Sequence, residues 1–150
     1  MCVITTSVKI AKPVVRGLEF LRPLLDLGIR LYVANVFWQS GLSKIASFDT
    51  TVALFTEEYK VPLLSPELAA ASAIFVELVF PALLALGLGG RLAAGVLFVF
   101  NIIAVISYPD LNEIGIKDHT YWGILLLVPL LHGPGRLSID HFLRKRLMPH

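Results

Sequence analysis

The chain has 150 residues, of which 56% are hydrophobic and 16% charged, and it carries a net charge of +2 at pH 7. Soluble domains are typically about 45–50% apolar and about 25% charged. The composition therefore favours one membrane-embedded domain over a soluble helical core, and the near-neutral charge argues against nucleic-acid binding. Residues 1–15 lack a sustained apolar run and a small-residue cleavage site, so no cleavable signal peptide is expected.

Four apolar stretches are candidate membrane spans, because crossing the hydrocarbon layer takes about 20 helical residues. They are Leu24–Leu42, Leu68–Leu88, Leu92–Pro109 and His119–Leu131, the last running on to Gly133. We predict an all-α fold: a membrane-embedded four-helix bundle with a short outer amphipathic helix and a C-terminal cytoplasmic helix. The bundle occupies residues 24–135, between a cytoplasmic N-terminal tail at 1–23 and a cytoplasmic C-terminal segment at 136–150.

Basic residues indicate the orientation, because cytoplasmic segments of membrane proteins carry an excess of Lys and Arg. Nine lie in the two tails and in the turn between the second and third spans: Lys9, Lys12, Arg16, Arg22, Arg91, Arg136, Arg144, Lys145 and Arg146. Three lie on the opposite side: Lys44, Lys60 and Lys117. We therefore predict a multi-pass protein of the cytoplasmic (inner) membrane with both termini in the cytoplasm.

The outer loop after the first span contains a helical pattern of apolar residues. Phe48, Val52, Phe55 and Tyr59 share one face of a short helix, and Pro62 is expected to end it. This helix either lies flat in the membrane interface or caps the bundle, and the pattern alone fits both.

A second short helix is expected at the C-terminal end. Gly133-Pro134-Gly135 stops the last span, and Ser138 is a good N-cap with Asp140 in the first turn. The basic residues that follow suit the anionic headgroups of the cytoplasmic leaflet.

Two charges lie inside the apolar stretches, where each costs roughly 2.5–3.5 kcal/mol. Arg30 is about 18 Å of helix below the outer end of the first span, and Glu77 is about 14 Å below that of the second. An Arg30–Glu77 salt bridge between neighbouring helices is therefore expected. Asp26, four residues before Arg30 on the same helix face, is the competing partner.

Further polar groups are expected near this depth. Pro81 has no N–H, so it leaves the Glu77 carbonyl without its usual helical donor. Asn101 lies midway along the third span, either as a hydrogen bond between helices or as part of a polar site. At the outer end, His119 and Trp122 are an interfacial anchor or the mouth of such a site. The histidines lie at different depths, so neither a metal nor a bis-histidine haem is expected.

Four parts of the chain, in their order and spacing, resemble a known family. They are Phe37–Ile45 with Arg30 before it, Glu77 with Leu86–Leu88 and Arg91, Asp118–Gly123, and Gly133–Asp140. The family they resemble is DoxX, whose members are small integral membrane proteins. The likeness runs from about Asp26 to Leu147.

The resemblance implies four helices in the cytoplasmic membrane. Some relatives are linked to quinol oxidation or redox partners, and others occur beside genes for metal-handling or peptide-modifying proteins. No cofactor is evident from the residues themselves, and a quinone is the one that the likeness allows. The lipid bilayer is an expected partner, and the likeness also allows a redox or metal-handling protein and a second copy of the chain. Relatives with thiol roles carry cysteines that this chain lacks, because Cys2 is its only one.

Two hypotheses of different classes follow. In the first, the chain is a binding or redox subunit whose ligand, quinone-like or otherwise small and apolar, lies near Arg30, Glu77 and Asn101, open toward His119 and Trp122. In the second, it is an accessory or assembly protein whose buried charges only set the helix register, and a small transporter is a third reading. A cavity reaching Glu77 from the outer leaflet would favour the first, and a tightly packed Arg30–Glu77 pair the second.

Overall fold

The computed structural model describes residues 2–59, 61 and 63–147, with side chains from residue 12 onward. The described residues form α-helices and no β-strand, which confirms the all-α prediction. The helices are α1 (Cys2–Ala46), α2 (Phe48–Glu57), α3 (Pro66–Leu86), α4 (Gly90–Ser107), α5 (Glu113–His132) and α6 (Ile139–Leu147).

Four of these helices pack side by side. α1 contacts α3 and α5, α3 contacts α4, and α4 contacts α5, so the four form a closed ring. α2 packs across α1 and α3 at one end, here named the α2 end. The opposite end, named the α6 end, carries the α3–α4 turn and the C-terminal segment.

The helices of the ring approach closely because small residues line the contacts. Ala69, Ala70 and Ala73 of α3 are buried, as are Ala93 and Ala94 of α4. In a lipid environment such residues let helix backbones meet and gain van der Waals contact. The larger core side chains fill the space between them: Val33, Phe37, Leu84, Leu97 and Leu126.

Local signals explain the bounds of α3 and α4. The Ser65 side chain accepts a hydrogen bond from the Leu68 N–H, and Pro66 occupies the first turn, where its missing N–H costs nothing. Gly87 ends α3 in a left-handed conformation with φ of 67°. Both helices begin and end two residues before their predicted limits.

α1 and α5 are longer than predicted. α1 continues through Pro13 and Pro23 as one helix of 45 residues, whereas the prediction began the first span at Leu24, after a tail at 1–23. A proline inside a helix removes one backbone hydrogen bond and crowds the carbonyl four residues earlier, which bends a helix without always ending it. α5 begins six residues early because the Asn112 side chain caps it, accepting from the Gly115 N–H at 2.8 Å.

α2 is a cap on the bundle. Thr51 is buried, with its hydroxyl bonded to the Lys44 and Ser47 carbonyls. Phe55 stacks on Tyr59, and Tyr59 stacks on Tyr108 at the end of α4. These contacts favour a helix that caps the bundle over one that lies flat in the membrane interface. The helix ends at Glu57, five residues before Pro62, which is outside the described residues.

Two helices of the described chain, Pro66–Leu86 and Gly90–Ser107, are long and apolar enough to cross a membrane. They correspond to the second and third predicted spans. Membrane crossing by α1 and α5, and with it the four-span bundle, stays a prediction.

Candidate functional site

The polar centre at the α2 end is an ion pair between α1 and α3. The Lys44 ammonium lies 2.9 Å from Oε1 and 2.8 Å from Oε2 of Glu77. It also donates to the Ser40 hydroxyl at 2.7 Å, and that hydroxyl donates to Glu77 Oε1 at 3.2 Å. The Glu77 side chain is only 6% exposed and that of Lys44 is 20% exposed. The carboxylate is therefore held by two partners in an otherwise apolar region.

The ion pair borders a cavity of about 200 Å³, named here the ion-pair cavity. Its walls are largely aromatic: Phe37, Phe100 and Trp122 pack edge to face, with ring centroids 6.1–6.4 Å apart. The remaining lining side chains come from six parts of the fold: Val36, Ser40, Lys44, Tyr59, Glu77, Ala104, Tyr108, Leu111 and His119. The cavity thus combines flat apolar walls with a small set of convergent polar groups.

A second cavity of about 180 Å³ lies beside the first and is more apolar. Both are lined by Lys44, Tyr59, Glu77, Phe100 and Ala104. The second also contacts Val61 and Leu64 of the α2–α3 loop. Glu77 is therefore reached from two sides.

Three aromatic rings cover the α2 end of these cavities. Phe55 stacks on Tyr59 with centroids 4.6 Å apart, and Tyr59 stacks on Tyr108 at 4.9 Å. The Tyr108 hydroxyl donates to Glu58 at 2.7 Å, which ties α4 to the end of α2. Burial raises the pKa of Tyr59, and the carboxylates of Glu77 and Glu58 raise it further, so its hydroxyl stays a proton donor.

Asn101 and His119 form a hydrogen-bonded link between α4 and α5. The Asn101 amide donates to the His119 carbonyl at 2.9 Å, and its oxygen lies 2.7 Å from His119 Nδ1. The His119 ring packs against Trp122 with centroids 4.8 Å apart. Asn101 itself faces a shallow groove on the outside of α4 and α5 and does not line the ion-pair cavity.

Arg30 does not pair with Glu77, and the predicted Arg30–Glu77 salt bridge is wrong. Arg30 is 1% exposed, lies against Gly87 at the α6 end, and donates to the Leu137 carbonyl at 2.5 Å. Asp26 makes no ion pair with it within 4 Å, since the one such pair among the described residues is Lys44–Glu77.

The helix register explains this correction. A Cβ built on Gly41 would lie 3.0 Å from the Glu77 Cβ, so Gly41 is level with Glu77, and Arg30 is 11 residues, or about 16 Å, further along α1. The prediction aligned Leu42 with Leu68 as outer ends of two spans. In the fold, α1 extends to Ala46 and α3 begins well beyond it.

The structure therefore brings together three of the five predicted site residues, Glu77, His119 and Trp122. Asn101 is hydrogen-bonded to His119 but does not line the ion-pair cavity. Arg30 lies at the α6 end, away from the cavity. Sequence reasoning missed Lys44, which it placed in a loop, and Tyr59, which it treated only as part of an amphipathic face. The sequence does carry a signal for Lys44. Ser40 and Lys44 are four residues apart, so in a continued first helix they share one face and can form a polar pair.

The site offers no evident metal ligands. Within the described part of the chain, no three His, Cys, Asp or Glu residues come together in a group that could hold a metal ion. The ion-pair cavity instead offers an ammonium and a phenol as donors, a carboxylate as acceptor, and aromatic faces. Such a set suits a flat, mostly apolar molecule with oxygen acceptors.

The described residues form a small helical bundle with two candidate membrane spans and a polar pair inside it. A family model for DoxX matches residues 25–109, which is more than half of the chain. The chain belongs to the DoxX family, as the sequence resemblance predicted. The matched residues include Lys44 and Glu77 and end before α5. No curated protein and no solved structure shows significant similarity to the chain.

Proposed function

We propose that this protein binds a small quinone-like ligand in the ion-pair cavity. The observation that carries the proposal is an aromatic-walled cavity of about 200 Å³ that reaches the Lys44–Glu77 pair. A cavity reaching Glu77 is the feature that separates a binding subunit from a scaffold. An Arg30–Glu77 pair, the feature that would have favoured a scaffold, is absent among the described residues.

The chemistry of the lining supports this ligand class. A quinone ring is flat, so it packs against Phe37, Phe100 and Trp122, whose faces and edges enclose the cavity. Its carbonyl oxygens accept hydrogen bonds, which the Lys44 ammonium and the Tyr59 hydroxyl can donate. The adjoining apolar cavity of about 180 Å³ suits a substituent or the start of an apolar tail.

We further propose that the protein spans the inner membrane four times, through α1, α3, α4 and α5, with both termini in the cytoplasm. Nine of the thirteen basic residues belong to the α6 end and the two tails, which supports a cytoplasmic position for that end. The ion-pair cavity then opens toward the outer leaflet.

Trp122 provides a direct test because it lines the cavity and quinones quench indole fluorescence on contact. The chain has two tryptophans, so Trp38→Phe leaves Trp122 as the single emitter. In mild detergent, a short-chain benzoquinone should quench this emission saturably. Tyr59→Phe keeps the ring but removes one hydrogen bond, and should weaken binding by about fivefold.

Tyr121→Phe is the matched control, since Tyr121 is 61% exposed and does not line the cavity. It should bind the quinone as the parent does. Quenching that never saturates, or equal affinity in the Tyr59 and Tyr121 variants, would contradict the binding proposal. An accessory or assembly role would then be the better account.

A further inference from the structure

A second cleft lies at the α6 end, remote from the ion-pair cavity. It has a volume of about 650 Å³ and lies between the N-terminal half of α1 on one side and the α5–α6 segment with Arg91 on the other. Five arginines and two histidines line it: Arg16, Arg22, Arg91, Arg136, Arg144, His132 and His141. We name it the arginine cleft. Nothing in the proposed quinone site uses these residues.

The arginines of the cleft are not neutralised by carboxylates. The one ion pair within 4 Å among the described residues is Lys44–Glu77, at the other end of the bundle. The hydrogen bonds of Arg91 include one to the Leu131 carbonyl at 3.3 Å, which orients the guanidinium without cancelling its charge. A group of guanidinium ions that outnumber the carboxylates of a concave site attracts an anion.

The acidic residues of the cleft are fewer than its arginines and offset only part of this charge. They are three: Glu19, Asp26 and Asp140. Asp140 is already committed, because its two oxygens accept from the backbone N–H groups of Gly89 and Gly90 at 2.8 and 2.9 Å. It caps the positive end of α4 and keeps its negative charge, so it offsets one positive charge of the cleft without forming an ion pair within 4 Å.

Arg30 adds a further positive charge behind the cleft. It lies against Gly87 next to Ser138, which lines the cleft, and its Nε and Nη1 atoms have no hydrogen-bond partner among the described residues. A buried, incompletely bonded guanidinium is costly on its own. Asp26 and Asp140 lie near enough to offset part of this cost, and an anion in the cleft would offset more of it.

On the α1 side, the rim of the cleft is apolar and exposed. Phe20 of α1 lines the cleft and is 79% exposed. Cations beside exposed aromatic side chains match the boundary between lipid headgroups and acyl chains. Free phosphate would use the cations alone, whereas a phospholipid would use both features.

We propose that the arginine cleft binds a phosphate group, supplied by the headgroup of an anionic phospholipid. Arg91 and Arg136 on one wall and Arg16 and Arg22 on the other contact the phosphate oxygens, since guanidinium groups bind phosphate in a bidentate manner. The apolar rim holds the acyl chains.

The test uses the full chain purified in detergent. Its unfolding temperature is measured with increasing phosphatidylglycerol, with matched phosphatidylcholine, and with inorganic phosphate, because a ligand of the folded state raises this temperature once its concentration exceeds the Kd. Phosphatidylglycerol should raise the unfolding temperature steadily with the logarithm of its concentration, and phosphatidylcholine should not. Arg91→Gln/Arg136→Gln should weaken the apparent affinity by about tenfold, through the loss of charge-assisted hydrogen bonds.

Lys145→Gln/Arg146→Gln is the matched control, because it removes the same charge from the same end but from residues outside the cleft. It should retain the parent affinity. Arg16→Gln/Arg22→Gln tests the opposite wall and keeps the proposal testable if the first variant does not fold. It should weaken phosphatidylglycerol binding by a similar factor.

The outcomes separate the sources of the phosphate. Stabilisation by phosphatidylglycerol alone, lost in the cleft variants, supports a lipid headgroup. Equal stabilisation by millimolar inorganic phosphate, lost in the same variants, supports the phosphate site and assigns it to a free anion. Equal losses in the cleft and control variants, or no stabilisation by either probe, would overturn the proposal.

Discussion

Lys44 and Glu77 differ in how much each depends on the other. The Glu77 carboxylate is 6% exposed and has only Lys44 and Ser40 to satisfy it. The Lys44 ammonium is 20% exposed, and its long side chain can turn toward water if its partner is lost. Removing the lysine should therefore be costlier than removing the glutamate.

The first prediction expresses this asymmetry as free energies of unfolding. Lys44→Ala should cost about 3–5 kcal/mol, because it leaves a buried carboxylate without a counter-charge. Glu77→Ala should cost less, about 1–2 kcal/mol. The double variant should be more stable than the sum of the two losses predicts, by at least about 1 kcal/mol. Reversible unfolding in mixed detergent micelles measures all three.

Arg30→Ala combined with Glu77→Ala is the control for that cycle. The two residues are about 16 Å apart along the bundle, so their losses should add within about 0.5 kcal/mol. Strong coupling of Arg30 to Glu77, with none between Lys44 and Glu77, would show that Arg30 and not Lys44 is the partner of Glu77.

That centre could be predicted only in part from sequence. Glu77 was identified by its position in an apolar helix, and His119 and Trp122 by their place at the helix start. The partner of Glu77 was missed because pairing between helices depends on their relative register, which no local pattern determines. A shift of eight residues, about 12 Å, separates the predicted alignment of α1 and α3 from the observed one.

Helix ends were predictable wherever the chain carries a local stop or start signal. Ser65-Pro66 and Gly87 place α3 within two residues of its predicted limits. Asn112 was overlooked as a cap, so α5 was predicted too short. Contacts between distant helix ends were not predictable. Asp140 was expected only to favour the first turn of α6. Its carboxylate also caps α4, about 50 residues earlier in the chain.

A second prediction follows from this cap. Asp140→Ala should lower the free energy of unfolding by about 1 kcal/mol, because the first N–H groups of α4 lose their acceptor. It should also loosen the C-terminal segment, since the Asp140 backbone N–H donates to the Gly87 carbonyl in the same turn. Limited trypsin digestion should then cleave faster at Arg136 and Arg144.

Asp49→Ala is the matched control for this change. Asp49 also lies in the first turn of a helix, but it is exposed and joins no second helix. Its replacement should leave the trypsin pattern unchanged. Equal cleavage rates in the Asp140 variant and the parent would show that the cap does not hold the segment.

The described residues form a polar cavity and a basic cleft at opposite ends of one bundle. The ion-pair cavity at the α2 end is small, aromatic and close to neutral, whereas the arginine cleft at the α6 end is larger and basic. The basic bias was predicted from the sequence by counting Lys and Arg along the chain. The cleft itself was not, because it forms only when α1 extends beside the α5–α6 segment.

The central claim is that the two sites face opposite sides of a membrane that the chain crosses four times. Single cysteines test it in a Cys2→Ser background, which removes the one native thiol. Thr56→Cys, Leu88→Cys, Lys117→Cys and Arg146→Cys place one thiol at each exposed helix connection or end. In intact cells, an impermeant maleimide should label the variants at 56 and 117 and leave those at 88 and 146 unlabelled until the membrane is opened. Labelling at 88 in intact cells, or equal labelling at 56 and 88, would contradict the account.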